Sequence, residues 1–585
     1  MASAPSLPGV TSPILGRCPS GALDPAQLLV WSGAGISLDL PTGAPLAADL
    51  TDRVLAYGFL PETAQLILCY YRALEIDRER PRLETLLDVV SRVHGVAAVA
   101  DLLSDLVSAP PNGIHRLLAE LSAQGAQQIT ANFDGCLEAA GATDVFHFHG
   151  SLAADPTTGE LGATLARIER GLPVDVRGEL TRRLTACRSV LVLGYSGSDF
   201  FDVDPFFASL EEGALKDTSV IWVKHGAAAI DVVDGRDAGD AVPQLESLRA
   251  AGAAVFLISG PTRDVLAELC VGWSLPAPDP PSGTRRTWRP GVMSDAEKQA
   301  LASLELYLLM GLKREIERML DVVPSLDRRR QLDLLGDVRW FQGRYRDAAD
   351  ARRIAGVDSR AARRATDFWI RGQYLRARRA ALRGVKEADA TIGTPHELPL
   401  EERLLRAETL ARVWSHMRRT PDARLLATRR LRESALAHLP DPAELARQGR
   451  PLGTHHSVRV RDARAALGAS SKPAPDSVKS FGEYEALGAW MNYRHGALRA
   501  ETKSGSVASE RYRLLRRDHL TLGAPGDAAR VVFLPGAASV FTWRELFEAL
   551  RTLDITHWHR LRLAALYFGS RARRRLGRSG SVAPD

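Results

Sequence analysis

LLVWSGAGISLDLPTG, residues 28–43, sets an apolar run, Leu28–Trp31, against the turn Gly33-Ala34-Gly35. A run this short, stopped by glycine, reads as a strand buried on both faces. Glycines at its end let main chain approach a pyrophosphate closely, and the helix start that follows offers free N–H groups and a favourable dipole. The same turn also serves as an ordinary strand-to-helix connection, so the motif needs company.

Company follows downstream. QQITANFD (127–134), VFHFHGS (145–151), SVLVLGYSG (189–197), TSVIWVKHG (218–226) and AAVFLISG (253–260) are further short apolar runs, separated by amphipathic segments. Strands alternating with helices predict an α/β fold, a Rossmann-like parallel sheet with helices on both faces. In such sheets ligands collect at the C-terminal strand ends. The polar residues at those ends are therefore the candidates: Gly33, Ala34, Gly35 and Ser37; Thr130, Asn132 and Asp134; His147, His149, Gly150 and Ser151; Gly194, Tyr195, Ser196, Ser198 and Asp199; Gly260 and Thr262. Alternation puts Thr130, Asn132 and Asp134 on one face if their strand persists that far, and likewise His147 with His149. A histidine at a strand end titrates near neutrality and suits a general base.

Composition sets the frame. The chain has 585 residues, 45% hydrophobic and 25% charged, enough for two or more cores. No stretch approaches the roughly 18 uninterrupted apolar residues of a membrane span, and residues 1–24 read as a loose leader without a secretory pattern. Five well-separated cysteines with no CxxC pair fit a reducing, cytoplasmic setting and oppose a disulfide framework or zinc knuckle. Residues 1–273 carry 19 Lys+Arg against 34 Asp+Glu, net −15, whereas the rest carry 57 against 36, net +21. The Pro-rich stretch 274–293 falls near this change of sign and reads as a linker between two electrostatically different domains, 25–273 and 294–585.

The order of motifs, GAGIS, TANFDG, HGS, GYS and a final strand-glycine segment, resembles the sirtuin family over about residues 25–273. The resemblance implies a sirtuin-like NAD-binding domain. In it Gly33, Ala34, Gly35 and Ser37 line the pyrophosphate, Asn132 contacts the ribose and positions a water, Asp134 holds the nicotinamide amide, His149 acts on the ribose hydroxyls, and Gly194 and Ser196 face the nicotinamide-side ribose and phosphate. The departures are equally pointed. Family deacylases carry a zinc module with two CxxC pairs between the HG and GTS motifs; here residues 150–193 hold one cysteine, Cys187. Ala131 stands where deacylases have glutamine, and Pro41-Thr42-Gly43 replaces their aspartate-phenylalanine-arginine. These features resemble instead the bacterial sirtuin-like domains of anti-phage systems, which hydrolyse NAD and are fused to a sensing region.

Beyond residue 293 the texture is helical and rich in Ala, Leu and Arg. Leu332, Leu335, Gly336, Gly343, Tyr345, Ala348 and Ala355 fall at the offsets of a tetratricopeptide helix pair, and WIRGQYLRARRAALRG (369–384) has a similar turn. The expectation is an all-α helical-repeat domain, with an irregular bundle as the alternative. Segments 468–480 and the tail from 578 read as exposed loop and disorder, and His455-His456 as surface.

The functional expectation is an NAD glycohydrolase that releases nicotinamide and ADP-ribose, needs no zinc or other metal, and depletes NAD as an anti-phage, abortive-infection effector. Residues 294–585 would sense a phage or partner protein and support a homo-oligomer. Dispersed arginines favour protein partners over nucleic acid, and no membrane is expected. The alternatives are an NAD-dependent deacylase or ADP-ribosyltransferase, and a non-enzymatic NAD or ADP-ribose sensor.

Overall fold

A computed structural model describes residues 24–73, 80–152, 171–197, 202–226, 229–234, 244–284, 295–323, 325–355, 509–533 and 541–565, with a few single positions besides. Among these residues seven strands form one sheet: β1 (Leu28–Ser32), β2 (Gln127–Thr130), β3 (Val145–His147), β4 (Ser189–Leu193), β5 (Ser219–His225), β6 (Asp231–Asp234) and β7 (Ala254–Gly260). Their order is β3-β2-β1-β4-β5-β7-β6. Every pairing is parallel except β6 on β7. The α/β class and mainly parallel sheet expected from the apolar runs are therefore present. The edge strand β6, only four residues long with Asp at both ends, carries no apolar signal.

Among the described residues, the helices between Ala47 and Trp273 in chain order are α1 (Ala47–Gly58), α2 (Pro61–Ala73), α3 (Leu83–His94), α4 (Val96–Val107), α5 (Gly113–Ala123), α6 (Cys136–Ala139), α7 (Val174–Ala186), α8 (Val203–Ala208), α9 (Gln244–Ala250) and α10 (Thr262–Trp273). Period-two geometry divides the strand side chains between two cores. Leu28 and Val30 of β1 join Leu191 and Leu193 of β4, Leu117 and Leu118 of α5, and Leu266 and Leu269 of α10. Leu29 and Trp31 join Val190 and Val192 of β4, Leu180 and Leu184 of α7, Phe206 and Phe207 of α8, and Leu245 and Leu248 of α9. A strand covered on both faces cannot alternate polar with apolar, which is why Leu28–Trp31 of β1 and Val190–Leu193 of β4 are uninterrupted apolar runs.

Topology locates the useful crevice. From β1 the chain runs outward to β2 and β3, then returns to the other flank of β1 as β4. Chain order reverses between β1 and β4, and the strand ends on either side of that reversal leave an opening where ligands bind in open α/β sheets.

Contacts divide the chain into one unit of residues 1–58 and 82–294, and a second of 59–81 and 295–585. In the first unit, part of the Pro-rich stretch 274–293 lies along α5 and α10: Arg116 pairs with Asp279 at 3.1 Å and Arg263 Nη1 donates to the Pro278 carbonyl at 2.9 Å. In the second, α2 finds partners for its buried hydroxyls on α11 (Ala296–Met310) and α12 (Lys313–Met319). Thr63 bonds Ser303 at 2.9 Å and Tyr307 at 3.0 Å, and Tyr70 Oη donates to Glu315 at 3.1 Å. Residues 59–81 precede the charge change by two hundred positions, so neither composition nor linker signals could group them with the second unit.

The second unit continues with α13 (Arg328–Phe341), α14 (Tyr345–Ile354), α15 (Ser509–Thr521), α16 (Pro525–Val531) and α17 (Trp543–Thr552). Among the described residues, three helix pairs turn on left-handed glycines, Gly311, Gly343 and Gly523, with φ of 71°, 85° and 73°. Of the residues singled out for the α13–α14 pair, Leu332, Gly336, Tyr345, Ala348 and Ala355 are buried while Leu335 is only half-buried. The similar turn at 369–384, segment 468–480, His455-His456 and the tail lie outside the described residues. No described helix is long and apolar enough to cross a membrane.

Candidate functional site

The Gly33-Ala34-Gly35 turn packs directly on the end of β4. Gly35 N–H donates to the Gly194 carbonyl at 2.9 Å, and a Cβ on Gly33 would stand 2.8 Å from Tyr195 Cα. Gly194 itself has φ 60°. Main chain meets main chain here, so three glycines are required by packing alone. A short 3-10 helix, Ala34–Ser37, then delivers Ser37 to the buried side of the crevice.

Ser37 is the hub of a cluster whose hydrogens can all be assigned. His115 Nδ1 accepts the Asn112 main-chain N–H at 3.1 Å, so its Nε2 carries hydrogen and donates to Ser37 Oγ at 3.2 Å. The Asp134 carboxylate only accepts, so Ser37 donates its own hydrogen to Asp134 Oδ2 at 3.1 Å. Asn132 must then offer an N–H, and its Nδ2 lies 3.2 Å from Ser37 Oγ. The amide orientation of Asn132 follows: Nδ2 is turned to Ser37, and Oδ1 is an acceptor outside that bond. Burial holds the His115 pKa down at about 4 against the pull of Asp134, which keeps the ring neutral as the assignment requires.

His115 and Asn112 were not among the sequence candidates. The pair forms a capping box at the N-terminus of α5, with Asn112 Oδ1 accepting from Ile114 and His115 main chain. Asn112 Nδ2 also donates to the Ile36 and Asp39 carbonyls, at 2.8 and 3.2 Å, clamping the glycine turn to the helix. The spacing Asn-x-x-His after Pro110-Pro111 is the only trace of this in the sequence.

Asn132 and Asp134 do share the site, though not by alternation along a strand. β2 ends at Thr130. Beyond it the chain is held by side chains: Thr130 Oγ1 accepts Asn132 N–H and Asp134 Oδ1 accepts Cys136 N–H, both at 3.1 Å. Thr130 is thereby spent internally. His115, Asp134 and Cys136 could bring ligand atoms within 4.8 Å of one another. Burial, reinforced by Asp134, pushes the Cys136 thiol far up, while His115 and Asp134 both bond Ser37 and Asp134 Oδ1 accepts the Cys136 N–H. We therefore read the trio as part of the hydrogen-bonded cluster.

β3 likewise ends at His147, and His149 sits in the turn that follows. The two histidines are separately engaged. His149 Nε2 bonds Asp202 Oδ2 at 3.0 Å, where both side chains are buried. Asp202, also absent from the sequence candidates, uses Oδ1 to cap α8 through Val203 N–H at 2.8 Å. His147 bonds Glu138 and the Asn132 carbonyl. Gly150 (φ 83°) lets the turn close, its N–H reaching the His147 carbonyl at 3.1 Å. Ser151 is half-buried just beyond.

On β4's side Ser196 is exposed at the crevice, whereas the Tyr195 ring packs into the core beside Trp31 and Trp222, at 6.0 and 5.8 Å between centroids. Only the Tyr195 main chain remains for a ligand. Ser198 and Asp199 lie outside the described residues. Gly260 ends β7, two strands past β4, where a Cβ would meet Ile230 at 3.1 Å. Thr262 opens α10 and bonds His225 at 3.2 Å. Gly260 and Thr262 are thus set apart along the sheet from the Ser37–Asn132–Asp134 cluster.

No model of a known protein family matches this chain, and no curated protein matches it.

Proposed function

We propose that the first unit is a sirtuin-like NAD glycohydrolase. The observation that carries this reading is the orientation of Asn132: the hydrogen bonds among Ser37, Asp134 and His115 turn its Nδ2 to Ser37 and leave Oδ1 as an acceptor just past the end of β2, beside a glycine turn. An acceptor in that place can hold a water against the anomeric carbon of a bound nucleotide. The glycine turn admits a pyrophosphate closely. The C–N bond breaks heterolytically, its electron pair leaving with nicotinamide, whose ring becomes neutral and needs little acid help. Water oxygen bonds the anomeric carbon and its proton passes to His149. Asp202 holds that ring at Nε2, as carboxylates hold catalytic histidines elsewhere.

Asp134 grips the nicotinamide amide in this scheme. Its Oδ2 already accepts from Ser37 and Oδ1 from Cys136 N–H, and each carboxylate oxygen has a second lone pair for a ligand amide. The residues between the HG and GYS motifs include one cysteine, Cys187, whose thiol burial pushes up to about 12. A chelator should accordingly leave turnover unchanged. The helical second unit is the sensing and assembly part, and the whole an anti-phage effector that depletes NAD.

The direct test is nicotinamide release and ADP-ribose formation by the purified chain. Asn132→Ala and His149→Ala should each lower turnover by at least about a hundredfold while circular dichroism stays unchanged. Wild-type protein that binds NAD without cleaving it, under activating conditions included, would favour a nucleotide sensor. Deacylation of acetylated peptides at rates matching NAD loss would favour the deacylase reading.

A further inference from the structure

His147 stands between two groups that can only accept. Its Nδ1 lies 2.8 Å from the Asn132 main-chain oxygen and its Nε2 lies 2.6 Å from Glu138 Oε1. A neutral imidazole has one N–H and one lone pair, so in that state one contact would set lone pair against lone pair. Both bonds form together only when the ring is an imidazolium. We propose that His147, held as an imidazolium by Glu138, is a positioning residue that fixes the Asn132 main chain, and that its deprotonation as pH rises releases that residue. The proposal rests on the reading of Asn132 as the water-orienting group.

The surroundings favour this. Asn132 is otherwise held at its N–H by Thr130 and at Nδ2 by Ser37, so the carbonyl bond to His147 is the third point that defines its placement. Two carboxylates face the ring, Glu138 of α6 and Asp134 of the preceding loop, and together with the carbonyl they outweigh burial and raise its pKa. Glu138 shifts in the complementary direction: burial pushes its carboxyl up, but His147 holds it below the ordinary value. The nearby cation, Arg183 of α7, is engaged by Asp144 and Glu179 and lies over Phe146, whose side chain leaves β3 on the opposite face. Glu138 is itself well exposed, with 44% of its side chain accessible, so the pair is open to solvent protons.

The test uses the full-length chain and two readouts. In NMR titrations, the His147 ring signal, assigned by its loss in His147→Gln, and the Phe133 amide, which shares the Asn132 peptide group, should move with one midpoint above pH 6.5. Glu138→Gln should lower both midpoints by about one pH unit or more. NAD turnover should fall with the same midpoint as pH rises and move with it in Glu138→Gln, the change appearing in kcat more than in KM. Different midpoints for ring and amide, or no response to Glu138→Gln, would overturn the latch. Matching NMR midpoints with pH-independent turnover would overturn its role in positioning. Matching midpoints in a chain with no turnover at any pH would leave the latch standing and remove the hydrolase reading.

Discussion

At the scale of single residues, the site asks opposite things of its two best-defined histidines. His115 must stay neutral to donate to Ser37 while accepting from Asn112; His147 must stay charged to satisfy two acceptors. Folding lowers the His115 pKa from the ordinary 6.5 to about 4, so its contribution to stability is complete above pH 6.5 and is lost as pH falls toward 4. The slope in that window is at most about 1.4 kcal/mol per pH unit. His147 is raised, so its contribution is complete below 6.5 and is lost as pH rises through its folded value. Urea unfolding followed by tryptophan fluorescence should show wild type losing stability more steeply than His115→Gln between about pH 6.5 and about pH 5; parallel slopes would refute the assignment. Ser37→Ala removes one hydroxyl that serves three partners. It should cost about 1–3 kcal/mol and most of the turnover, and stability within about 0.5 kcal/mol of wild type would argue against the cluster.

At the scale of elements, function is built where strands stop. β2 and β3 end at Thr130 and His147, so the groups after them are set by caps and side-chain bonds. α8 shows the economy of this, since Asp202 caps the helix with one oxygen and holds His149 with the other. Asp202→Ala should lose the cap, about 1 kcal/mol, together with turnover. Asp202→Ser can still cap, so it should recover most of the stability measured by thermal unfolding while turnover stays low. Recovery of both would reduce Asp202 to a capping residue. In the second unit the constraint is spatial: a Cβ at Gly526 would lie 2.7 Å from the Phe341 carbonyl oxygen and from Gly343 Cα. Gly526→Ala should therefore destabilise the α13–α16 crossing by about 1–3 kcal/mol, read as faster amide exchange in those helices.

At the scale of the whole molecule, net charges of −15 over residues 1–273 and +21 over the remainder motivate the expectation of a homo-oligomer sensitive to salt. Exposed charges are screened beyond roughly 8–10 Å at physiological ionic strength. Light scattering across a salt series should show a mass above that of a monomer that falls as salt rises and is indifferent to nuclease. A monomer at every salt concentration, with nucleic acid co-purifying until nuclease is added, would transfer the basic surface to nucleic-acid binding.

What the sequence determined by itself is whatever follows from local pattern. Apolar runs ended by glycine gave β1, β4 and β7; the change of texture after residue 293 anticipated the helices α11 to α17; and Asn132, Asp134 and Ser37 were legible because small polar residues cluster at strand ends. What only the tertiary structure decided depends on groups brought together across long separations. Ser37 meets Asp134 and Asn132 over about a hundred positions, and His149 finds Asp202 over fifty-three. Residues 59–81 take their place with the second unit because their buried hydroxyls are satisfied by Ser303, Tyr307 and Glu315. Backbone periodicity can predict an element from its neighbours in sequence, but a hydrogen-bond donor is committed only when folding supplies its acceptor.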